Sequence, residues 1–246
     1  MIRQFVKALL PQSVITHLRL NRKAALYRQV VQRGDLVFDI GANHGNRVEL
    51  FLHLGARVVA VEPQAACCAH LRQLYGNRIT LIEKGASSQA EVRQLHLCTA
   101  DTLATFDPTF ISTLGETRFR EEDGVHWEGT AEVNMTTLDA LVAEYGEPSF
   151  IKIDVEGFEL EVLKGLTKPV KMLSFEYTVP ERAAQLLACL RRIAEINPQA
   201  ECNYSVSENL IWALPQWESI DALLKRVETP TFLATDFGDI YVRRRA

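Results

Sequence analysis

Three groups of residues in this 246-residue chain have types and spacings that suit chemistry on a small ligand. The first is Val37-Phe-Asp-Ile-Gly-Ala-Asn-His-Gly-Asn46. There Gly41 and Gly45 free the backbone to approach a ligand, and Asn43 and Asn46 offer donors and acceptors. The second is Glu62, which stands 21 residues after Gly41 and precedes Pro63. The third is a set of acids: Asp154 and Glu156 in Phe150-Ile-Lys-Ile-Asp-Val-Glu-Gly157, and Glu176 in Leu173-Ser-Phe-Glu-Tyr177.

The first two groups together narrow the ligand. A dinucleotide fingerprint wants Gly-x-Gly-x-x-Gly, but positions 41, 43 and 46 are Gly, Asn and Asn, and a P-loop lysine is absent. An acid about 20 residues beyond the glycine turn grips ribose hydroxyls. Asp39, just before the turn, is placed to face the ammonium of an amino-acid-like ligand. A ribose with cationic groups and no pyrophosphate describes S-adenosylmethionine. Methyl transfer to a hydroxyl then needs a base, so Asp154, Glu156 and Glu176 are the candidate catalytic residues. They would orient the acceptor, take its proton or hold a metal; the plainer reading is a helix cap, with Glu176 as a partner for Lys152. The six histidines show no zinc spacing, and no metal ligand set is assigned; His44 is read as a loop-surface residue.

These residues need strand ends to hold them. From Asp35 the chain alternates short β-rich runs with helical patterns, which predicts a doubly wound α/β fold on a parallel sheet. Strands are expected at Leu36–Ile40, Arg57–Val61, Ile79–Ile82, Val92–Leu97, Ser149–Ile153, Val170–Glu176, Cys202–Val206 and Asp239–Arg243. Between them, Leu138, Leu141, Val142 and Tyr145 mark one face of a helix with a Thr start and a Gly146 stop. Pro180 fits the first turn of another helix, running to about Ile196. Thr99–Val133 reads as a polar, less regular stretch, with Arg118–Gly129 as a lid or a solvated loop.

The blocks Thr136-Thr-Leu-Asp-Ala-Leu141, Ile151-Lys-Ile-Asp-Val-Glu-Gly157 and Glu161-Val-Leu-Lys-Gly165 resemble the FkbM-family methyltransferases. So do Phe38–Gly45, Val61-Glu-Pro63 and Ser174-Phe-Glu-Tyr177; the likeness runs over roughly residues 34–178. It implies a Rossmann-like class I methyltransferase fold with a seven-stranded sheet whose last strand is antiparallel. It also implies O-methylation of a sugar or natural-product hydroxyl. Carried onto this chain, it makes Asp39, Gly41, Asn43, Gly45, Glu62 and Pro63 cofactor contacts, and places Gly85, Ala86 and Ser87 at the adenine edge. Two other functions fit the same sequence: a catalytically silent scaffold that keeps the cofactor pocket, and an N-methyltransferase acting on an amine.

Bulk properties bound the rest. Residues 1–34 hold seven Arg or Lys and no acid; the chain total is −4, which leaves −11 on the remainder. This divides the chain into a basic helical extension, 1–33, and a methyltransferase domain, 34–246. The extension could meet an anionic membrane surface or an acidic partner, and without aromatic interleaving it does not read as a nucleic-acid binder. Five cysteines without paired spacing and the lack of a secretory signal pattern point to the cytoplasm. The expected partner is a small-molecule or glycan acceptor.

Overall fold

The computed structural model describes residues 20–115, 117–119 and 124–245. Its first half contains β1 (Leu36–Ile40), α1 (Asn46–His53), β2 (Arg57–Val61), α2 (Ala65–Tyr75), β3 (Ile79–Ile82), β4 (Gly85–Ala86), β5 (Val92–Cys98), α3 (Pro108–Leu114) and β6 (Trp127–Thr136). Its second half contains α4 (Leu138–Tyr145), β7 (Phe150–Ile153), α5 (Glu159–Lys164), β8 (Met172–Thr178), α6 (Ala183–Ile196), β9 (Glu201–Val206), β10 (Glu218–Ser219), α7 (Ile220–Arg226), α8 (Pro230–Leu233) and β11 (Phe237–Arg243).

The main sheet has the order β10-β9-β11-β8-β7-β1-β2-β3. Strands β3, β2, β1, β7 and β8 pair in parallel, while β11 runs antiparallel to both β8 and β9. This is the doubly wound class I methyltransferase arrangement, with the expected antiparallel last strand. The strand number differs: the sheet has eight strands rather than seven, because two-residue β10 pairs with the outer edge of β9. From β1 the chain winds outward to β2 and β3, then returns to the other side at β7. The carboxyl ends of β1 and β7 therefore flank the switch point at which open α/β sheets bind ligands.

Both faces of the inner strands are covered, so they read as unbroken apolar runs. All five residues of β1 are buried; Phe38 and Ile40 join one core layer, and Val37 joins the other with Phe51 and Phe150. Residues 20–31 contribute to that second layer through Leu20, Ala24, Leu26, Tyr27 and Val31. Tyr27 is fully buried and meets Phe51 edge-on at 5.1 Å. The segment from Leu20 is thus packed against α1 and the sheet. Arg3, Lys7, Arg19 and the rest of 1–19 lie outside the described residues.

The stretch 99–133 is more regular than its composition suggests. It holds α3, started by the Asp107 carboxylate accepting from Thr109 N at 2.8 Å, and most of β6, which pairs antiparallel with β5. Strand β6 alternates over its second half, with Ala131, Val133 and Met135 turned inward and Glu132 and Asn134 exposed, the pattern of a half-buried strand. The helix expected from Pro180 begins later, at Ala183, and Pro180 lies in the turn before it. Thr137 caps α4 as expected, accepting from Ala140 N at 3.0 Å. No helix among the described residues is long and apolar enough to cross a membrane.

Candidate active site

The turn after β1 alternates left-handed residues: Gly41 at φ +84°, Asn43 at +44° and Gly45 at +83°. Amides of Gly41 and Ala42 both donate to Val61 O, at 2.9 and 3.1 Å, tying the turn to the end of β2. Both glycines also have close protein neighbours that a side chain would meet. A Cβ at position 41 would lie 1.8 Å from Asp154 O, and one at 45 would meet Leu71 and Tyr75 within 2.8 Å. Their lack of a side chain lets the β1 turn seat on Asp154, after β7, and on α2.

Glu62 is 2% exposed and its carboxylate is oriented by two backbone amides, Asn43 N to Oε2 at 2.8 Å and Gln64 N to Oε1 at 2.7 Å. Burial raises its pKa even against these two donors. A strap follows β5: the Asp101 carbonyl accepts from Asn43 Nδ2 at 3.3 Å and Gln64 Nε2 at 2.9 Å, and its Oδ2 meets His44 Nε2 at 2.7 Å. His44 is therefore a strap contact, half exposed.

A cavity of about 390 Å³ opens above these strand ends. Of the residues expected from sequence, Gly41, Asn43, Asn46, Glu62 and Pro63 line one part of it. Gly85, Ala86, Asp154, Glu156 and Glu176 also line it, so most of the expected site is brought together. Three residues are not. Gly45 starts α1 and is covered by Tyr75, whose hydroxyl donates to Gly45 O at 3.1 Å. Ser87 is fully buried, with its amide on Thr136 O.

Asp39 is the third. It is 1% exposed, lies opposite Lys152 in the β1–β7 register, and does not line the cavity. Its Oδ2 has no hydrogen-bond partner among the described residues, and burial, opposed by Lys152, raises its pKa to about 7. Lys152 itself is 1% exposed, and its Nζ reaches Asp154 Oδ2 at 3.0 Å and Asp239 Oδ1 at 2.9 Å. Burial opposes the ammonium, but Asp154 and Asp239 outweigh it and raise the lysine's pKa.

The three acids at the strand ends bring carboxylate oxygens within 4.8 Å of one another. Their environments differ. Burial works against the charge of Asp154, yet Lys152 prevails and holds its carboxyl below the usual range. Glu156 and Glu176 are pushed well above that range, first by burial and then by repulsion from Asp154. Such a cluster suits a cation: a sulfonium, or a divalent metal with oxygen ligands.

The turn carrying Glu156 is held from several sides. Glu156 adopts φ +50°, uncommon for a residue with a side chain, and the next residue is Gly157 at +90°. Thr105 Oγ1 donates to Glu156 O at 2.6 Å; Arg182 Nη2 and Gln185 Nε2 donate to Gly157 O at 3.1 and 2.6 Å. Glu159 accepts from the amides of Val155 and Gly157, each at 3.2 Å. Burial lifts its pKa to about 7 despite those donors. Glu159, Arg182 and Arg47, which also lines the cavity, had no sequence signal of their own. Lys152 had one: a lysine inside the apolar run Phe-Ile-Lys-Ile.

The family model described as the Methyltransferase FkbM domain matches residues 39–210. Hexuronic acid methyltransferase AglP of Haloferax volcanii is 27% identical over 152 residues, covering 61% of this chain and 57% of that protein. The chain thus matches a little over half the length of that relative. Among solved structures, the precorrin-6Y C5,15-methyltransferase of Geobacter metallireducens GS-15 aligns with a TM-score of 0.47 at 10% identity, over 91% of this chain and 87% of that one. A TehB-like SAM-dependent methyltransferase of Corynebacterium glutamicum aligns at 0.46 and 8%, with the same coverage. The fold assignment rests on the strand order.

Proposed function

This chain belongs to the FkbM methyltransferase family, and from that premise we propose that it transfers a methyl group from S-adenosylmethionine to a hydroxyl of a sugar or glycan. The observation that carries the reading is the meeting of Glu62 and the three strand-end carboxylates in one cavity. The donor set fits the cofactor. Glu62, with both oxygens aimed by backbone amides, would hold the ribose, and Pro63, Gly85 and Ala86 would border the adenine. Asp154, Glu156 and Glu176 would face the sulfonium, whose bound form supplies an electrophilic methyl carbon.

Among the acids, the work divides by pKa. Asp154, kept ionised by Lys152, is a weak base and a fixed negative charge. Glu156 and Glu176, raised well above the ordinary carboxylate range by burial and by repulsion from Asp154, bind a proton more tightly than Asp154 and are the stronger bases. We therefore assign the proton of the acceptor hydroxyl to the Glu156–Glu176 pair rather than to Asp154.

The sugar acceptor is suggested by the hexuronic acid methyltransferase among the relatives. Methyl-labelled cofactor offered with a hexuronate, a neutral hexose and a primary amine tests it. We expect label in an alkali-stable sugar ether. Label in the amine, or in an alkali-labile ester, contradicts hydroxyl transfer.

A further inference from the structure

The cavity lining also carries charge opposite to the strand-end acids. Arg47, in the first turn of α1, lines the cavity with a side chain only 14% exposed, and Lys23 lines it as well. Arg47 Nη2 donates to Glu208 Oε2 at 2.6 Å, while its Nε is buried with no hydrogen-bond partner among the described residues. Nothing in the transfer described above uses these cations. A buried guanidinium with an unmade hydrogen bond seeks an acceptor, and its planar fork matches a carboxylate.

The acid that now meets Arg47 is an unusual partner. Glu208 comes from the short 3-10 turn Ser207–Asn209, and its side chain is 68% exposed. Two residues with side chains beside it are left-handed, Ser207 at φ +53° and Leu210 at φ +51°. An exposed carboxylate on such a turn is readily rehydrated when it leaves; the buried guanidinium it leaves behind is not. The pairing therefore favours replacement of Glu208 by another carboxylate entering the cavity. Glu49, which also lines the cavity, belongs to α1 and is carried by its helix.

We propose that Arg47, supported by Lys23, is a carboxylate-binding subsite of this cavity, and that Glu208 is the internal carboxylate a ligand displaces. The proposal rests on the reading of the cavity as a cofactor site. Two ligands present this chemistry: the cofactor, through the carboxylate of its amino-acid tail, and a uronic acceptor, through its own.

Calorimetry with S-adenosylhomocysteine and with 5′-methylthioadenosine, which lacks the amino-acid tail, separates them. If the cofactor tail docks on Arg47, Arg47→Met weakens S-adenosylhomocysteine by about 10- to 100-fold and leaves 5′-methylthioadenosine unchanged. Glu208→Gln, at the surface and safe for folding, then tightens S-adenosylhomocysteine several-fold and again spares 5′-methylthioadenosine. If the acceptor docks there, S-adenosylhomocysteine is indifferent to both variants, and hexuronate binding falls in Arg47→Met while neutral hexose binding does not. Unchanged affinity for both carboxylate ligands in folded Arg47→Met and in Glu208→Gln overturns the subsite. Wild-type protein that binds neither nucleoside overturns the cofactor reading first, and this proposal with it.

Discussion

Glu156→Gln lowers kcat by about 10²- to 10⁴-fold, the usual contribution of a general base, while S-adenosylhomocysteine affinity stays within a few-fold. The substitution keeps the side chain's size and removes its capacity to accept a proton. The acid limb of the wild-type pH profile adds a second readout. Glu156 and Glu176 are raised well above the ordinary carboxylate range by burial and by Asp154. A base must be ionised to act, so the rate is full above the raised pKa and falls as pH drops through it. A Glu156→Gln enzyme with near-wild-type kcat would leave proximity alone, or Asp154, to account for the reaction.

Lys152→Met destabilises the protein by about 3–5 kcal/mol at neutral pH, the cost of leaving buried charges without their partner. The lysine is the cation between Asp154 and Asp239 and stands opposite Asp39, all under the sheet's carboxyl edge. The pH dependence follows from the depressed Asp154. Its contribution to stability is present above the unfolded carboxylate pKa and is lost as pH falls through the lower folded value. In Lys152→Met the acids instead take up protons on folding, so the difference from wild type narrows as pH falls toward about 4. Urea unfolding at neutral and acidic pH measures it; equal losses at both would mean that packing, not charge, dominates.

Much of this was legible in the sequence, for physical reasons. Inner parallel strands are apolar on both faces, so β1 and β2 stand out as runs bounded by turns, each leading into residues that line the cavity. That same burial hides orientation. When Val37 and Phe38 are both buried, nothing in the pattern tells which residues of β1 reach the cavity; Ile40 lines it and Asp39 does not. Strand β6 carried a signal, the alternation of Ala131, Val133 and Met135 with Glu132 and Asn134, which the polar composition of the surrounding stretch outweighed; α3 was missed because it is only seven residues long. Lys152 was visible as a charge in a strand, but its partners come from residues 154 and 239, a pairing that only the fold creates. The division of labour among the acids was out of reach for the same reason, since it depends on which carboxylate the lysine touches.

Titration of S-adenosylhomocysteine into wild-type and Glu62→Ala protein by calorimetry tests the central claim, that this cavity is the cofactor site with Glu62 on the ribose. Removing a carboxylate that two backbone amides hold in place deletes charge-assisted hydrogen bonds to the ligand. The predicted result is wild-type binding that Glu62→Ala weakens by about 1.5–3 kcal/mol with the unfolding transition intact. Equal affinity in the two proteins, or no binding by the wild type, would contradict it.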